Sequence, residues 1–182
     1  MSQLKVDSII PRGGLGSGAS GGIIQVISAT KTDTTSISMS GGGTSGNISG
    51  LSPTITTTGS NKVLITGFIA CDQNSSNTYN HVGIMLKRGS TVIGLGDADG
   101  NRRRIHSGVA MAVGYYTGNR GAGTGAINFL DSPSAGTHTY NIELTSSYSS
   151  NTTVTVNRPN NSTNSIHYQR LVSVVTLMEV TV

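Results

Sequence analysis

Apolar and polar residues alternate along much of the chain with the period of a β-strand. In residues 139–145, Tyr140, Ile142 and Leu144 share one face, and polar side chains occupy the other. Residues 153–156 alternate threonine and valine in the same way. Successive side chains of a strand point to opposite faces, so this pattern predicts strands with one buried face and one face in water.

Two other segments, residues 62–70 and 171–182, are apolar on both faces of a strand. In the first segment, Leu64 and Phe68 lie opposite a face formed by Val63, Ile65 and Ile69. The second segment distributes its valines and leucines over both faces in the same way. Strands of this kind are buried on both sides. In an antiparallel sandwich a second surface must therefore cover them, and we expect a neighbouring subunit there.

Turn-forming residues separate the strand-like segments. Glycine, aspartate, asparagine and serine cluster at residues 87–90, 97–101 and 131–136, where they favour tight turns. Stretches of small residues at 13–22 and 40–50 interrupt the pattern further. About eight to ten candidate strands remain, with no amphipathic helix. The sequence predicts an all-β fold, an antiparallel β-sandwich or jelly roll with an extended N-terminal arm.

The first 22 residues differ in character from the rest of the chain. A short apolar group precedes Pro11 and the glycine- and serine-rich stretch at 13–22; it comprises Leu4, Val6, Ile9 and Ile10. Four apolar side chains cannot form a core, so this segment gains order only by packing on another surface. We interpret residues 1–22 as an arm and flexible linker, and residues 23–182 as a head domain.

Composition supports strands and limits the partners. Only 11% of the 182 residues are charged, against roughly 25% in a typical domain, and 25 are glycine. The net charge of +4 is mild, and its one local concentration is Arg102, Arg103 and Arg104. No nucleic-acid-binding motif accompanies these arginines, so no nucleic acid partner is expected. They serve either to keep the protein soluble or to contact an acidic surface.

The motifs of catalysis and cofactor binding are weak. Residues 16–21 read G-x-G-x-x-G, but a dinucleotide site needs a strand before this motif and a helix after it. The spacing of Asp97, Asp99 and Asn101 suits a plain turn better than a calcium site. The four histidines have no metal-ligand spacing, and Cys71 follows an apolar run that predicts its burial. We expect no enzyme activity, cofactor or metal.

No targeting or membrane segment is visible in the sequence. Residues 1–7 lack the apolar core of a signal peptide. No apolar stretch approaches the roughly 20 residues that span a bilayer. We therefore expect synthesis and folding in a cytoplasm, without membrane insertion.

Several short motifs occur in the order found in one group of viral proteins. The opening LKVDSI at residues 4–9 resembles the start of many structural proteins of marine and cyanobacterial tailed phages. Residues 130–133 (LDSP) and 139–140 (TY) are similar to a segment of their C-terminal domains. The segments VNR at 156–158 and TLMEV at 176–180 resemble their later motifs. The resemblance covers both termini and the last third of the chain.

This resemblance implies a phage virion protein with a trimeric, jelly-roll-like head. The first hypothesis is a short tail fibre or adhesin that is made in the host cytoplasm and displayed on the virion for host attachment. Its arm, through Leu4, Val6, Ile9 and Ile10, would join other virion proteins. Four loops with polar and aromatic residues would contact host surface polysaccharide; they are residues 72–79, 96–104, 114–125 and 157–164.

Two alternatives to the tail fibre remain open at this point. A capsid decoration protein, which stabilises the shell with its arm threaded between neighbours, fits a chain of this length without a repetitive shaft. A polysaccharide depolymerase is the remote alternative, because two carboxylates can assemble in space without a sequence motif.

Overall fold

A computed structural model describes residues 22–41, 43–58, 61–74, 82–109, 122–146, 150–160 and 163–181. These residues form twelve β-strands and no helix. The strands are β1 (Ile23–Lys31), β2 (Thr35–Met39), β3 (Thr44–Asn47), β4 (Thr54–Thr57), β5 (Lys62–Asn74), β6 (Val82–Arg88), β7 (Thr91–Ile93), β8 (Ser107–Val109), β9 (Gly123–Asp131), β10 (Gly136–Ser146), β11 (Thr152–Val156) and β12 (Ser173–Val180).

The strands form two antiparallel sheets. In sheet I, β5 pairs with β9 on one side and with both β12 and β11 on the other, and these pair in turn with β1 and β2. In sheet II, β10 pairs with β6 on one side and with β4 and β3 on the other, and β6 continues to β7 and β8. Each sheet is therefore four rows wide, because two rows of each sheet consist of two short strands placed end to end. These are β11 with β12 and β1 with β2 in sheet I, and β3 with β4 and β7 with β8 in sheet II.

The order of the rows defines the topology. If the eight rows are numbered in the order in which the chain forms them, the row order is 6-3-8-1 across sheet I and 2-7-4-5 across sheet II. Two interlocked Greek keys produce this order, which is that of the jelly roll. The predicted all-β sandwich of jelly-roll type is thus confirmed.

The hydrophobic core lies between the two sheets. Fully buried side chains come from the inward faces of every central strand, among them Ile65, Ile84, Ile142 and Leu177. The predicted inward face of β10, with Tyr140, Ile142 and Leu144, is confirmed, since all three are 0% exposed. The predicted burial of Cys71 is confirmed too.

Two ends of the sandwich can be distinguished by the strand register. Ile23 pairs with Val180, which pairs with Lys62. Asp131 pairs with Val63, and its carboxylate binds Arg88. We call this the arm end, because Gly22, the last residue of the arm and linker, lies there.

The other end of the sandwich is built from the opposite ends of the same strands. We call it the loop end; it includes Met39, Thr44, Asn74, Val82, Val109, Gly123, Ser146 and Thr152. Gly22 and the described residues that flank the longer connections therefore lie at opposite ends of the sandwich.

Local predictions of turns and strands agree with the structure in most places. The predicted hairpin at 87–90 joins β6 to β7, and Gly89 adopts φ +58°. The small-residue stretch at 40–50 was expected only to interrupt the chain, and this is wrong. It contains β3, where the Ser45 hydroxyl accepts a hydrogen bond from Leu144 N (2.8 Å). Ile48 that follows is fully buried.

The expected wet outer face of β10 and β11 is also wrong. Asn141, Glu143 and Thr145 of β10 are all buried. Lys87 Nζ forms an ion pair with Glu143 Oε1 (2.8 Å), and Asn141 Nδ2 donates a hydrogen bond to Gly89 O (3.0 Å). Alternation correctly indicated which residues point away from the core, but contacts with other segments determine whether those residues are exposed to water.

Candidate interaction surfaces

Three successive rows on the outer face of sheet I carry no charged residue, and Lys62 of β5 lies in the row beyond them at the arm end. Strand register places Val26, Met178, Leu64 and Leu130 side by side in one row across all four strands. The next row toward the loop end is polar and uncharged, with Ser28, Thr176, Thr66 and Asn128. The third row contains Thr30, Val174, Phe68 and Ala126. We call these twelve residues the sheet I face.

The sheet I face lies at the surface of the chain. Val26, Phe68 and Leu130 are 54%, 41% and 47% exposed. The sequence correctly indicated that Leu64 and Phe68 are opposite the core, but the described residues of the chain itself leave them at the surface. An exposed row of apolar side chains, such as the one that runs from Val26 to Leu130, is typical of a place where another molecule packs.

The outer face of sheet II has the opposite character. It carries the Lys87–Glu143 ion pair and hydrogen-bonded threonine pairs, Thr54 with Thr139 (2.8 Å) and Thr56 with Thr137 (2.9 Å). Residues 94–106 pack on part of it, and the Ile105 side chain lies next to Gly83. The polar groups of this face are paired within the chain, whereas the described residues leave the apolar side chains of the sheet I face uncovered.

The two edges of sheet I also differ. Along β9, Ser107 Oγ donates to Ala126 O (2.6 Å), and His106 Nε2 accepts a hydrogen bond from Asn128 N (3.4 Å). The segment around β8 thereby caps a strand edge that would otherwise be open to pairing with another chain. β1, at the other edge, pairs only with β12 among the described strands.

The predicted contact residues Arg102, Arg103 and Arg104 lie exposed beside the loop end. Arg102 pairs with Asp99 in the preceding turn, and Arg103 binds the Thr145 hydroxyl of β10. Arg104 Nε donates to Gly96 O (2.6 Å) and holds the loop closed on itself. All three arginines therefore shape the 94–106 segment, whatever else they contact.

Two of these arginines line a cavity. It has a volume of about 320 Å³ and is lined by Val82, Gly83, Arg102, Arg103, Ile105, Gly108, Val109 and Thr145. Its lining combines apolar side chains, such as those of Val82, Ile105 and Val109, with Arg102 and Arg103. Arginine side chains are suited to bind anionic groups.

Asn157 is a buried junction that sequence reasoning did not single out. Its backbone is left-handed (φ +61°), and it lies where the row of β11 and β12 is interrupted. Its side-chain amide donates to Lys31 O (2.8 Å) and Asp33 O (2.9 Å), and its side-chain oxygen accepts from Ser173 Oγ (2.6 Å). One side chain thus links the end of β1, the segment that follows it and the start of β12.

A second buried polar group crosses between the sheets at the arm end. Tyr140 Oη of sheet II donates to Asp131 Oδ2 of sheet I at 2.7 Å. Arg88 binds the same oxygen at 2.7 Å. Burial, together with this carboxylate, raises the pKa of the Tyr140 phenol, which therefore stays a neutral donor.

Glu179 forms the third buried polar group. Its carboxylate accepts hydrogen bonds from Gln25 Nε2 (2.6 Å), Asn61 Nδ2 (2.9 Å) and Thr58 N (3.1 Å). The hydrogen bonds from Gln25, Asn61 and Thr58 lower its pKa. Gln25 also donates to Thr56 O (2.6 Å), so the group links the edge of sheet I to sheet II.

Reactive chemistry is not concentrated at one place. Burial, with a smaller contribution from the Asp72 charge, raises the pKa of the Cys71 thiol to about 12, so this thiol is a structural rather than a nucleophilic group. Within the described residues, no three His, Cys, Asp or Glu side chains are grouped to hold a metal ion. The Asp99–Arg102 contact occupies the turn that was considered for calcium.

The predicted attachment residues Leu4, Val6, Ile9 and Ile10 lie outside the described residues, as does the glycine-rich motif at 16–21. Their roles stay predictions. The predicted loops at 72–79, 114–125 and 157–164 fall only partly within the described ranges.

No protein-family model matches the chain, and no curated protein is significantly similar to it. The described ranges contain no helix with the length and apolarity of a membrane-spanning segment.

Proposed function

We propose that this chain is a non-enzymatic structural protein of a tailed-phage virion: a short, homotrimeric tail fibre or adhesin that is displayed for host attachment. The polarity of the fold is the observation that carries the proposal. Residues 1–22 join the head at the arm end, and the cavity beside Arg102 and Arg103 lies toward the loop end. Such a protein anchors at one end and presents contacts at the other.

The resemblance to phage proteins supports the same assignment through the scaffold. The motif LDSP contains Asp131, TY contains Tyr140, VNR contains Asn157 and TLMEV contains Glu179. Each of these is a buried polar residue that joins rows or sheets of the jelly roll. The shared motifs therefore contain residues that stabilise this fold. The proposed role as a tail fibre extends the resemblance from the fold to the function of the protein in the virion.

The chemistry of the loop end suits a saccharide ligand. Host surface polysaccharides present hydroxyl and acidic groups, and the cavity is lined by Arg102 and Arg103 together with apolar side chains. We propose host polysaccharide as the ligand class of this end, and other virion proteins as the partners of the arm.

Immunogold labelling of virions that carry the protein tests the proposal. Antibody raised against the head should mark the tail in electron micrographs. Label over the whole capsid would instead identify a decoration protein, and virions without label would contradict any structural role in the particle.

A further inference from the structure

We infer that the sheet I face is the interface between copies of this chain, and that it closes around a three-fold axis with Val26 of one subunit packed against Leu130 of the next. This inference rests on the homotrimer proposed above and names the surface that makes it.

The charge pattern favours a second copy as the occupant. A surface that meets copies of itself around an axis must tolerate its own charges at close range, and like charges repel there. All twelve residues of the sheet I face are uncharged, although each chain carries a net charge of +4, and Lys62 lies in the next row toward the arm end. The charged residues Lys87 and Glu143 of the central strands of sheet II lie on the opposite side of the molecule.

The exposure pattern suits a cyclic contact. Val26 and Leu130 form the two ends of the apolar row and are 54% and 47% exposed, whereas Met178 and Leu64 between them are half-buried. In a ring of subunits, Val26 of one copy meets Leu130 of the neighbouring copy at the same height along the axis. In the proposed three-fold ring this head-to-tail contact leaves no apolar end uncovered.

The first test places a charge on the face. Met178→Lys brings three ammonium groups together at the axis, and burial of unpaired charge is costly. The matched control is Met85→Lys, since Met85 is also half-buried on a central strand but faces outward from sheet II. Sedimentation equilibrium should find trimers for the wild type and the control. For Met178→Lys, the concentration of half-dissociation should rise by about a hundredfold or more.

The second test does not depend on a destabilising change. In the double variant Val26→Cys, Leu130→Cys, a short bis-maleimide should join neighbouring chains into covalent dimers and trimers. Three strand spacings of about 4.8 Å separate the two positions within one chain, too far for a short linker. Each single variant serves as a control and should form no trimer, and the buried Cys71 should not react.

The outcomes separate this interface from the proposed function. A wild-type trimer that Met178→Lys leaves intact, or that the cysteine pair fails to cross-link, overturns the sheet I face as interface and leaves the trimer standing. A wild-type monomer overturns both the interface and the homotrimer. A wild-type dimer overturns the three-fold arrangement. If Met178→Lys does not fold, the cross-linking decides.

Discussion

Buried polar side chains hold this jelly roll together at the points where its strands break. Asn157 is the clearest case, because its side chain binds Lys31 O, Asp33 O and Ser173 Oγ, while its main-chain N–H binds Ala70 O (2.9 Å). A buried carbonyl left without its donor costs about 1–3 kcal/mol. Asparagine also tolerates the left-handed backbone better than most residues.

Replacement of Asn157 should therefore destabilise the fold. We expect Asn157→Ala to lower the free energy of unfolding by about 2–4 kcal/mol, measured by urea denaturation. Asn157→Gly loses the same hydrogen bonds but accepts φ +61° without strain, so it should be less harmful by about 0.5–1 kcal/mol. Equal stability of the alanine variant and the wild type would contradict the role of this junction.

Glu179 should make stability depend on acid pH. Three hydrogen bonds lower the pKa of its carboxyl below the ordinary value of 4.5. The folded chain thus binds this proton less tightly than the unfolded chain does. The resulting stabilisation is complete above pH 4.5 and is lost as the pH falls through the lowered pKa.

The variant Glu179→Gln isolates this effect. It should be less stable than the wild type at pH 6, and the difference should shrink toward pH 3, in urea denaturation at a series of pH values. Comparison with the variant is needed because burial raises the pKa of Asp72, which contributes stability that is lost as the pH rises. A difference that stays constant with pH would show that the carboxylate charge of Glu179 is unimportant.

At the scale of elements, close packing between strands depends on single glycines. A Cβ at Gly67 of β5 would lie 2.1 Å from Val174 O of β12, a main-chain atom that cannot turn aside. Gly46 of β3, by contrast, has no atom within 4 Å of such a Cβ. Both glycines lie in strands, so their substitutions differ mainly in this contact.

We expect Gly67→Ala to separate β5 from β12 and to cost about 3 kcal/mol or more of unfolding free energy. Gly46→Ala should change stability by less than about 0.5 kcal/mol. Thermal unfolding followed by circular dichroism compares the two. Similar melting temperatures for both variants would mean that the β5–β12 pairing adapts to the added methyl group.

At the scale of the whole molecule, the arm and the head should be separable. Gly22 is held at the arm end by main-chain contact with Thr181 (3.0 Å), and the core draws on no described residue before β1. Three arms in a trimer would dock with high avidity, because the second and third bind at high effective concentration.

Deletion of residues 1–22 should therefore leave a folded trimer that no longer joins virions. Sedimentation equilibrium checks the first statement, and immunoblots of purified particles check the second. Normal incorporation of the truncated protein, or its failure to fold, would show that the arm is not an independent anchor.

The sequence by itself determined the all-β class, most strands, the hairpin at 87–90 and the inward face of β10. These features depend on period-two alternation and on turn residues, which act over a few neighbouring positions. It also indicated that residues 62–70 are apolar on both faces. It missed β3 because glycine and serine there carry no apolar alternation, although Ser45 and Ile48 are buried.

Only the tertiary structure decided which rows are neighbours, which outward faces are covered, and which polar residues are buried. Those outcomes depend on contacts between residues far apart in the chain, such as Lys31 with Asn157 or Asp131 with Arg88. The outer faces of β10, which is polar, and of β12, which is apolar, therefore end in surroundings that the alternation did not indicate. Lys87 and Gly89 cover that of β10, while the outer residues of β12 form part of the uncharged sheet I face.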